Sequence, residues 1–178
     1  MMGVFHDLES YGHEQIAFFH DKESGLKAII GVHSTVLGPS LGGCRMWKYT
    51  DEQAALRDVL RLSRGMTYKA AVAGLNLGGG KAVVMADART EKTPQMLKAF
   101  GKAVEAMGGR YITAEDVGTN TSDMEHIAKE TAWVTGVAPE LGGGGDPSPV
   151  TALGVLQGIR AAAHTLWGSV DLSDRTVA

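Results

Sequence analysis

Three consecutive glycines, Gly78 to Gly80, run into Lys81, and a second lysine, Lys69, stands twelve residues before it. Glycines let backbone or a small molecule come close to an ammonium group. Where such a site is partly closed to water, desolvation and a neighbouring cation both disfavour a charged lysine and bring it toward proton transfer near neutral pH. One lysine of a pair can then stay charged and hold an anionic substrate while the other works as a base. Asp116, in TAEDVGT, follows a short apolar run and precedes Gly118, where a loop can carry a carboxylate into a cleft. Spacing alone also fits, and by itself favours, two surface lysines beside a tight turn. It equally fits a capping or turn role for Asp116, with Glu115 solvated.

Other chemistries fail on spacing. A phosphate loop needs glycine six residues before the lysine and Ser or Thr after it, whereas Leu75 and Ala82 occupy those places. A dinucleotide fingerprint starting at Gly78 or Gly142 would need glycine at 83 or 147, which are Val and Pro. The six histidines pair with no second His, Cys or carboxylate in a zinc-like spacing, so no metal is expected. The single Cys44 allows no intrachain disulfide and is expected to pack rather than react.

The elements that must position these groups follow from the rest of the chain. Its 178 residues, 44% hydrophobic and 21% charged, suit one globular domain with a proper core. A net charge of −3 offers no field to a phosphate backbone, so nucleic acid is not an expected partner. No apolar stretch reaches the roughly 20 residues a membrane span needs, and the opening lacks a basic segment leading into an apolar one; a cytoplasmic protein is expected.

Glu14 to His20 and Leu26 to His33, separated by DKESG, read as a hairpin with which the fold opens. Gly38 to Trp47 reads as a glycine-rich loop, and Thr50 as the cap of a helix ending near Arg64. Ala82 to Ala86 reads as a buried strand, and Thr93-Pro94 opens a helix ending near Gly108 and Gly109. Tyr111 to Ala114 is a short strand, and Ser122 with Glu125 suggests a capping box for a helix over Asp123 to Glu130. Ala132 to Thr135 is a candidate strand, a long helix should run from about Val150 to Trp167, and the terminal DRTVA resembles the opening of another strand. This alternation predicts an α/β fold with a mixed or largely parallel sheet flanked by helices.

The strings LGPSLGGCRMW, ALRDVLRLSRGMTYKAAVAGLNLGGGKAVV, GRYITAEDVGT and GDPSPVTALGV, in this order and spacing, resemble the N-terminal domain of the glutamate/leucine/phenylalanine/valine dehydrogenase family. Within it they are most similar to the leucine dehydrogenases. The resemblance implies a substrate-binding, catalytic and oligomerisation domain over residues 1–148. It implies that residues 149–178 are an inter-domain helix and the start of a dinucleotide-binding (Rossmann) domain, before which the chain is truncated.

The same resemblance implies roles. Lys69, with Met66 in the same M-T-Y-K motif, binds the substrate and its α-carboxylate. Lys81 assists acid/base catalysis through an activated water, and Asp116 exchanges protons with the amino group or ammonia. Gly42 and Gly43 lie against the substrate, while Leu41 and Ala114 line its side-chain pocket. The implied reaction is reversible, NAD-dependent oxidative deamination of a branched-chain L-amino acid to the 2-oxo acid and ammonia in a homo-oligomer. The NAD site is expected in the missing C-terminal domain, so this half alone should be inactive. Cys44 stands where Thr is usual and Asp146 where Asn is common. Alternatives are a non-catalytic amino or oxo acid-binding or oligomerisation module, and a related dehydrogenase for phenylalanine or valine.

Overall fold

The computed structural model describes residues 3–176, and the chain divides into two compact units after Gly145. The first opens with a helix, not a strand: α1, Val4–Tyr11, precedes the hairpin and ends at Gly12 in a left-handed conformation. Val4, Leu8 and Tyr11 stand at helical spacing in it, but none of its residues is buried. The hairpin follows as β1 (Gln15–Asp21) and β2 (Leu26–Ser34), paired antiparallel from Gln15↔Val32 to Asp21↔Leu26. Its turn is tied by Asp21, which accepts from the Ser24 N–H and hydroxyl at 2.8 and 2.5 Å.

Three further strands, β3 (Ser40–Trp47), β4 (Gly78–Met85) and β5 (Tyr111–Glu115), complete a sheet of order β1-β2-β4-β3-β5. β4 runs antiparallel to β2, whereas β3 is parallel to both β4 and β5, so the sheet is mixed. Two glycine-bearing segments expected outside the strands therefore lie within them. Gly38 to Trp47 is mostly β3, and β4 begins at Gly78 rather than Ala82. The glycines of β4 are there for space: a Cβ on Gly78 would overlap the Ser34 carbonyl oxygen, on Gly79 it would overlap Thr67, and on Gly80 it would stand 2.7 Å from the Tyr111 ring. Central position supplies hydrogen-bond partners on both sides and overrides the weak strand preference of glycine.

Helices cover both faces. α2 (Glu52–Val72) packs Ala55, Leu56, Val59 and Leu60 on Ile29 and Val83. On the other face α3 (Pro94–Glu105) and α4 (Thr121–Ile127) bury Leu97, Phe100, Met124 and Ile127 against Ile30, Cys44, Met46, Ala82 and Val84. α2 is capped by Asp51, which accepts from the Ala54 N–H at 2.7 Å, and it runs eight residues past the expected end at Arg64. Ser63 and Gly65, which flank that expected end, are poor helix formers but do not break the helix. The Ser63 hydroxyl donates to the Val59 carbonyl (2.6 Å), and the next turn lies on the bare backbone of Gly79.

α3 has its predicted cap, Thr93, but stops short of Gly108. α4 uses an overlapping capping box, Asn120 with Asp123, in place of Ser122 with Glu125. Ala132 to Thr135 makes only an isolated bridge, Thr113↔Val134. The second unit consists of α5 (Ser148–Trp167), closed by left-handed Gly168, and a tail in which the Arg175 guanidinium lies 4.3 Å from the Trp167 ring centroid. The strand expected over DRTVA reaches into 177–178, outside the described residues; Asp174 to Thr176 form none. No helix of the described residues is long and apolar enough to cross a membrane.

His13 anchors the first strand to α2. The Ser63 hydroxyl already donates to Val59, so it accepts from His13 Nε2 at 2.7 Å, which leaves Nδ1 unprotonated, buried and without a hydrogen-bond partner among the described residues. Protonating that nitrogen would bury an unmatched N–H beside His33, whose ring centroid is 4.9 Å away. Burial, then the His33 charge, pull the His13 pKa from near 6.5 down to about 4. A folded-state pKa below the unfolded one contributes stability that is full above about pH 6.5 and lost as pH falls toward 4. Thermal unfolding followed against pH should show Tm falling across that window, and falling less in His13→Gln.

Candidate active site

Lys81 lies in the middle of β4, not at a turn, and its side chain is 6% exposed. Along a strand alternate side chains share a face. Gly43 pairs with Ala114, and the neighbouring Cys44 pairs with both Ala82 and Glu115, which places Lys81, Gly43 and Ala114 in one row across β4, β3 and β5. Gly43 has no side chain to block that row. A Cβ there would lie 2.5 Å from the Glu115 carbonyl oxygen and 2.8 Å from Asp116 Cβ. Across this gap the Lys81 ammonium meets Asp116 Oδ2 at 2.9 Å.

Two more groups join the pair. Arg45 of β3 donates from Nε to the same Asp116 oxygen (2.9 Å) and from Nη1 to Asp58 of α2 (3.0 Å). The Tyr49 hydroxyl donates to Asp58 Oδ2 at 2.7 Å. The result is an alternating line of charge, Lys81, Asp116, Arg45, Asp58, closed by a phenol. Burial raises the proton affinity of Asp116, but contact with Lys81 and then Arg45 outweighs it and holds the carboxyl below its usual range. Burial, then Asp58, push the Tyr49 hydroxyl up, so it stays a donor.

The loop after β5 is held by Thr119. Its hydroxyl accepts from the Asp116 N–H (2.9 Å) and lies 2.9 Å from the Cys44 carbonyl oxygen, to which it donates. Lys92 braces the same loop through the Gly118 carbonyl (3.1 Å) and Asp123 (2.7 Å). Cys44 is fully buried, and burial pushes its thiol up, so it is a neutral packing group. Glu115, expected to be solvated, is half-buried and accepts from the Thr121 hydroxyl at 3.2 Å.

α2 covers β2 and β4, whereas Leu41, Arg45, Ile112 and Ala114 on the same face of β3 and β5 remain half-exposed. This bare strip begins beside Lys81 and Asp116, and a recess of about 320 Å³ lined by Arg45, Trp47, Tyr49, Asp58 and Val117 adjoins it. Leu41 and Ala114 therefore flank the pair. Gly42 does not: alternation turns it to the other face, where a Cβ would overlap the Gly80 carbonyl oxygen and where Tyr111 donates to its own carbonyl at 2.6 Å. Met66 is half-buried and Lys69 exposed, both on α2, and among the described residues Lys69 makes no ion pair. Among the described residues no cluster of three or more His, Cys, Asp or Glu could hold a metal.

Sequence reasoning missed Arg45, Asp58, Tyr49 and Thr119. Arg45 was detectable, because two residues after Gly43 in a strand it must share that face; expecting a loop over Gly38 to Trp47 hid it. Asp58 meets it only through tertiary packing. Tyr111 is a buried test of the same frame: Tyr111→Phe should remove the hydrogen bond to the Gly42 carbonyl and cost about 0.5 to 1.5 kcal/mol in urea denaturation, without moving the sheet register.

The chain is 56% identical over 177 residues to a leucine dehydrogenase of Geobacillus stearothermophilus, covering 99% of this chain and 48% of that protein. It is 53% identical to a valine dehydrogenase of Streptomyces virginiae, over 98% of this chain and 50% of the relative. The crystal structure of L-tryptophan dehydrogenase from Nostoc punctiforme superposes with a TM-score of 0.75 at 44% identity, covering 96% of this chain and 47% of that one. The chain thus spans about half the length of the curated relatives it matches. Since the family model for the Glu/Leu/Phe/Val dehydrogenase dimerisation domain matches residues 13–133, well over half of the chain, the chain belongs to that family.

Proposed function

We propose that these residues form the substrate-binding, catalytic half of a dehydrogenase that reversibly converts a branched-chain L-amino acid, NAD and water into a 2-oxo acid, ammonia and NADH. The observation that carries this is the buried Lys81 ammonium in contact with Asp116 beside a half-exposed strip of sheet. The acid/base pair thus lies where a small substrate can lie flat on β3 and β5.

Each residue then has a task. Lys69, exposed and without an ion-pair partner among the described residues, takes the substrate carboxylate, with Met66 near it in sequence. Once hydride has left the α-carbon and an imine remains, Lys81 passes its proton to Asp116 and deprotonates the water that attacks the imine carbon, and Asp116 delivers that proton to the nitrogen as ammonia leaves. Leu41 and Ala114 contact the aliphatic side chain, and Gly43 leaves room for the substrate backbone. Substrate orientation and fixed charges contribute most of the acceleration.

The dinucleotide does not fit these residues. Of the two glycine tracts of the first unit, Gly78 to Gly80 is a buried strand whose open positions are filled by Ser34, Thr67 and Tyr111, so it cannot cradle phosphate, and Gly142 to Gly145 runs into Pro147 where a dinucleotide fingerprint needs glycine. The hydride acceptor belongs to a further domain, and we place the boundary at residues 148 and 149. A homo-oligomer assembled through this half accords with the family's description as a dimerisation domain, and we place it in the cytoplasm.

The test is NADH consumption with ammonium and a panel of branched and aromatic 2-oxo acids, by this chain and by the chain continued through a dinucleotide-binding domain. Turnover of branched acids by the longer protein alone is the expected result. An apolar pocket separates substrates one methylene apart by only about 1 to 3 kcal/mol, so the oxo acids of leucine, isoleucine and valine should all react. A longer protein that folds and binds NADH but turns over none of them would sink the proposal.

A further inference from the structure

We propose that Arg45 is a positioning residue of the Lys81–Asp116 pair: gripped from behind by Asp58, which Tyr49 holds in turn, its guanidinium fixes the direction in which the Asp116 carboxylate faces across β3. The inference rests on the catalytic role proposed above for that pair and adds a residue to it.

The need for such a group follows from the geometry. Asp116 lies just beyond the end of β5, and Thr119 holds its backbone N–H but not its carboxylate. Lys81 attracts the carboxylate without aiming it, because an ammonium on a flexible stem is a point charge with three rotating donors. A guanidinium is a planar fork whose N–H directions are set once two of them are engaged. Arg45 is engaged in two directions at once, with Nε on Asp116 at 2.9 Å and Nη1 on Asp58 at 3.0 Å. Asp58 is in turn held by the Tyr49 hydroxyl at 2.7 Å. Tyr49 and Asp58 therefore fix the plane of the fork, and the fork fixes the carboxylate.

A purely architectural role explains this line less well. Arg45 and Asp58 are each about a quarter exposed, and ion pairs that reach solvent contribute little to stability. The α2 face already coheres through Ile29, Val59, Leu60 and Val83, none of which needs the charges. The ionisable groups that bear on Asp116 are Lys81 from β4, Arg45 from β3 and, through it, Asp58 from α2 with Tyr49.

The test uses two readouts that need no turnover. In the 178-residue chain, 13C NMR follows the Asp116 carboxyl carbon against pH; Arg45→Gln should raise its titration by about one unit, and Arg45→Lys, which keeps the charge, should leave it near the original. Exchange of the Arg45 Nε–H should quicken severalfold in Asp58→Asn, a near-isosteric change on a partly exposed side chain. This arm stands even if Arg45→Gln fails to fold. In the protein continued through its dinucleotide-binding domain, Arg45→Gln and Arg45→Lys should both lower kcat about tenfold to a hundredfold with KM for the amino acid little changed. An unmoved titration in Arg45→Gln, an unchanged Nε–H in Asp58→Asn, or full kcat in Arg45→Lys would each overturn the positioning role. Absence of turnover in the unmodified longer protein, with both NMR results as expected, would instead overturn the proposed reaction and leave the clamp intact.

Discussion

Asp116→Ala should destabilise the chain by about 3 to 5 kcal/mol, and Lys81→Met by clearly less, although the two residues form one ion pair. The asymmetry comes from what each side chain retains. Lys81 is 6% exposed, and Asp116 is the one carboxylate within ion-pair distance of it among the described residues. Removing Asp116 leaves a nearly buried ammonium in the middle of a strand without its counter-charge. Asp116 is 24% exposed and keeps Arg45 at 2.9 Å when Lys81 is gone. Methionine also fills much of the lysine's volume with apolar atoms that suit the site. Urea denaturation of both variants and of the double variant closes the cycle, and the double variant should be more stable than Asp116→Ala alone. Equal costs, or a larger cost for Lys81→Met, would mean that the ammonium is not held by this carboxylate. The lowered Asp116 pKa has its own sign: its contribution is full above the ordinary carboxylate range near 4 and is lost as pH falls below it. In the longer protein each single variant should lose about 10²- to 10⁴-fold in turnover, so stability and rate separate the two residues where activity alone would not.

Gly42→Ala should cost more than about 4 kcal/mol and remove the folded state at ordinary temperature. Its Cβ would overlap the carbonyl oxygen of Gly80, which is backbone of the neighbouring strand and cannot rotate away as a side chain would. β3 and β4 are registered on both sides of this point, at Leu41↔Gly79 and Cys44↔Ala82, so relief requires moving two strands. Gly65 is the matched control. It sits inside α2 with nothing within 4 Å of where a Cβ would stand, and Gly65→Ala should stabilise the chain by about 0.5 to 1 kcal/mol. Circular dichroism with urea titration compares the two. A Gly42→Ala chain with the original midpoint would show that the glycine is free of the sheet and available for a role against substrate alone.

These two predictions mark what each level of description decided. Periodicity and turn chemistry determined the hairpin, the Thr93 cap, the strand at Tyr111 and the α/β class, because those signals are local: apolar alternation, a proline at a helix start, a turn between two β-branched runs. The same local logic failed for Gly38 to Trp47 and for Gly78 to Gly80. Glycine carries no side chain to report burial, and its strand conformation here is imposed by neighbours that would collide with any other residue. α2 outran its expected end for a related reason, since Ser63 and Gly65 are tolerated once Thr67 can rest on a bare strand.

The candidate site divides along the same line. Lys81, Lys69 and Asp116 could be singled out in the chain from their residue types and glycine surroundings, and motif likeness named their roles. That Lys81 reaches Asp116 rather than solvent was decided by strand order, which sets β3 between them and places Gly43 at the crossing. Arg45, Asp58 and Tyr49 entered only there. Charges from a strand and a helix become neighbours through packing, and a linear chain holds no record of which distant carboxylate a guanidinium will meet.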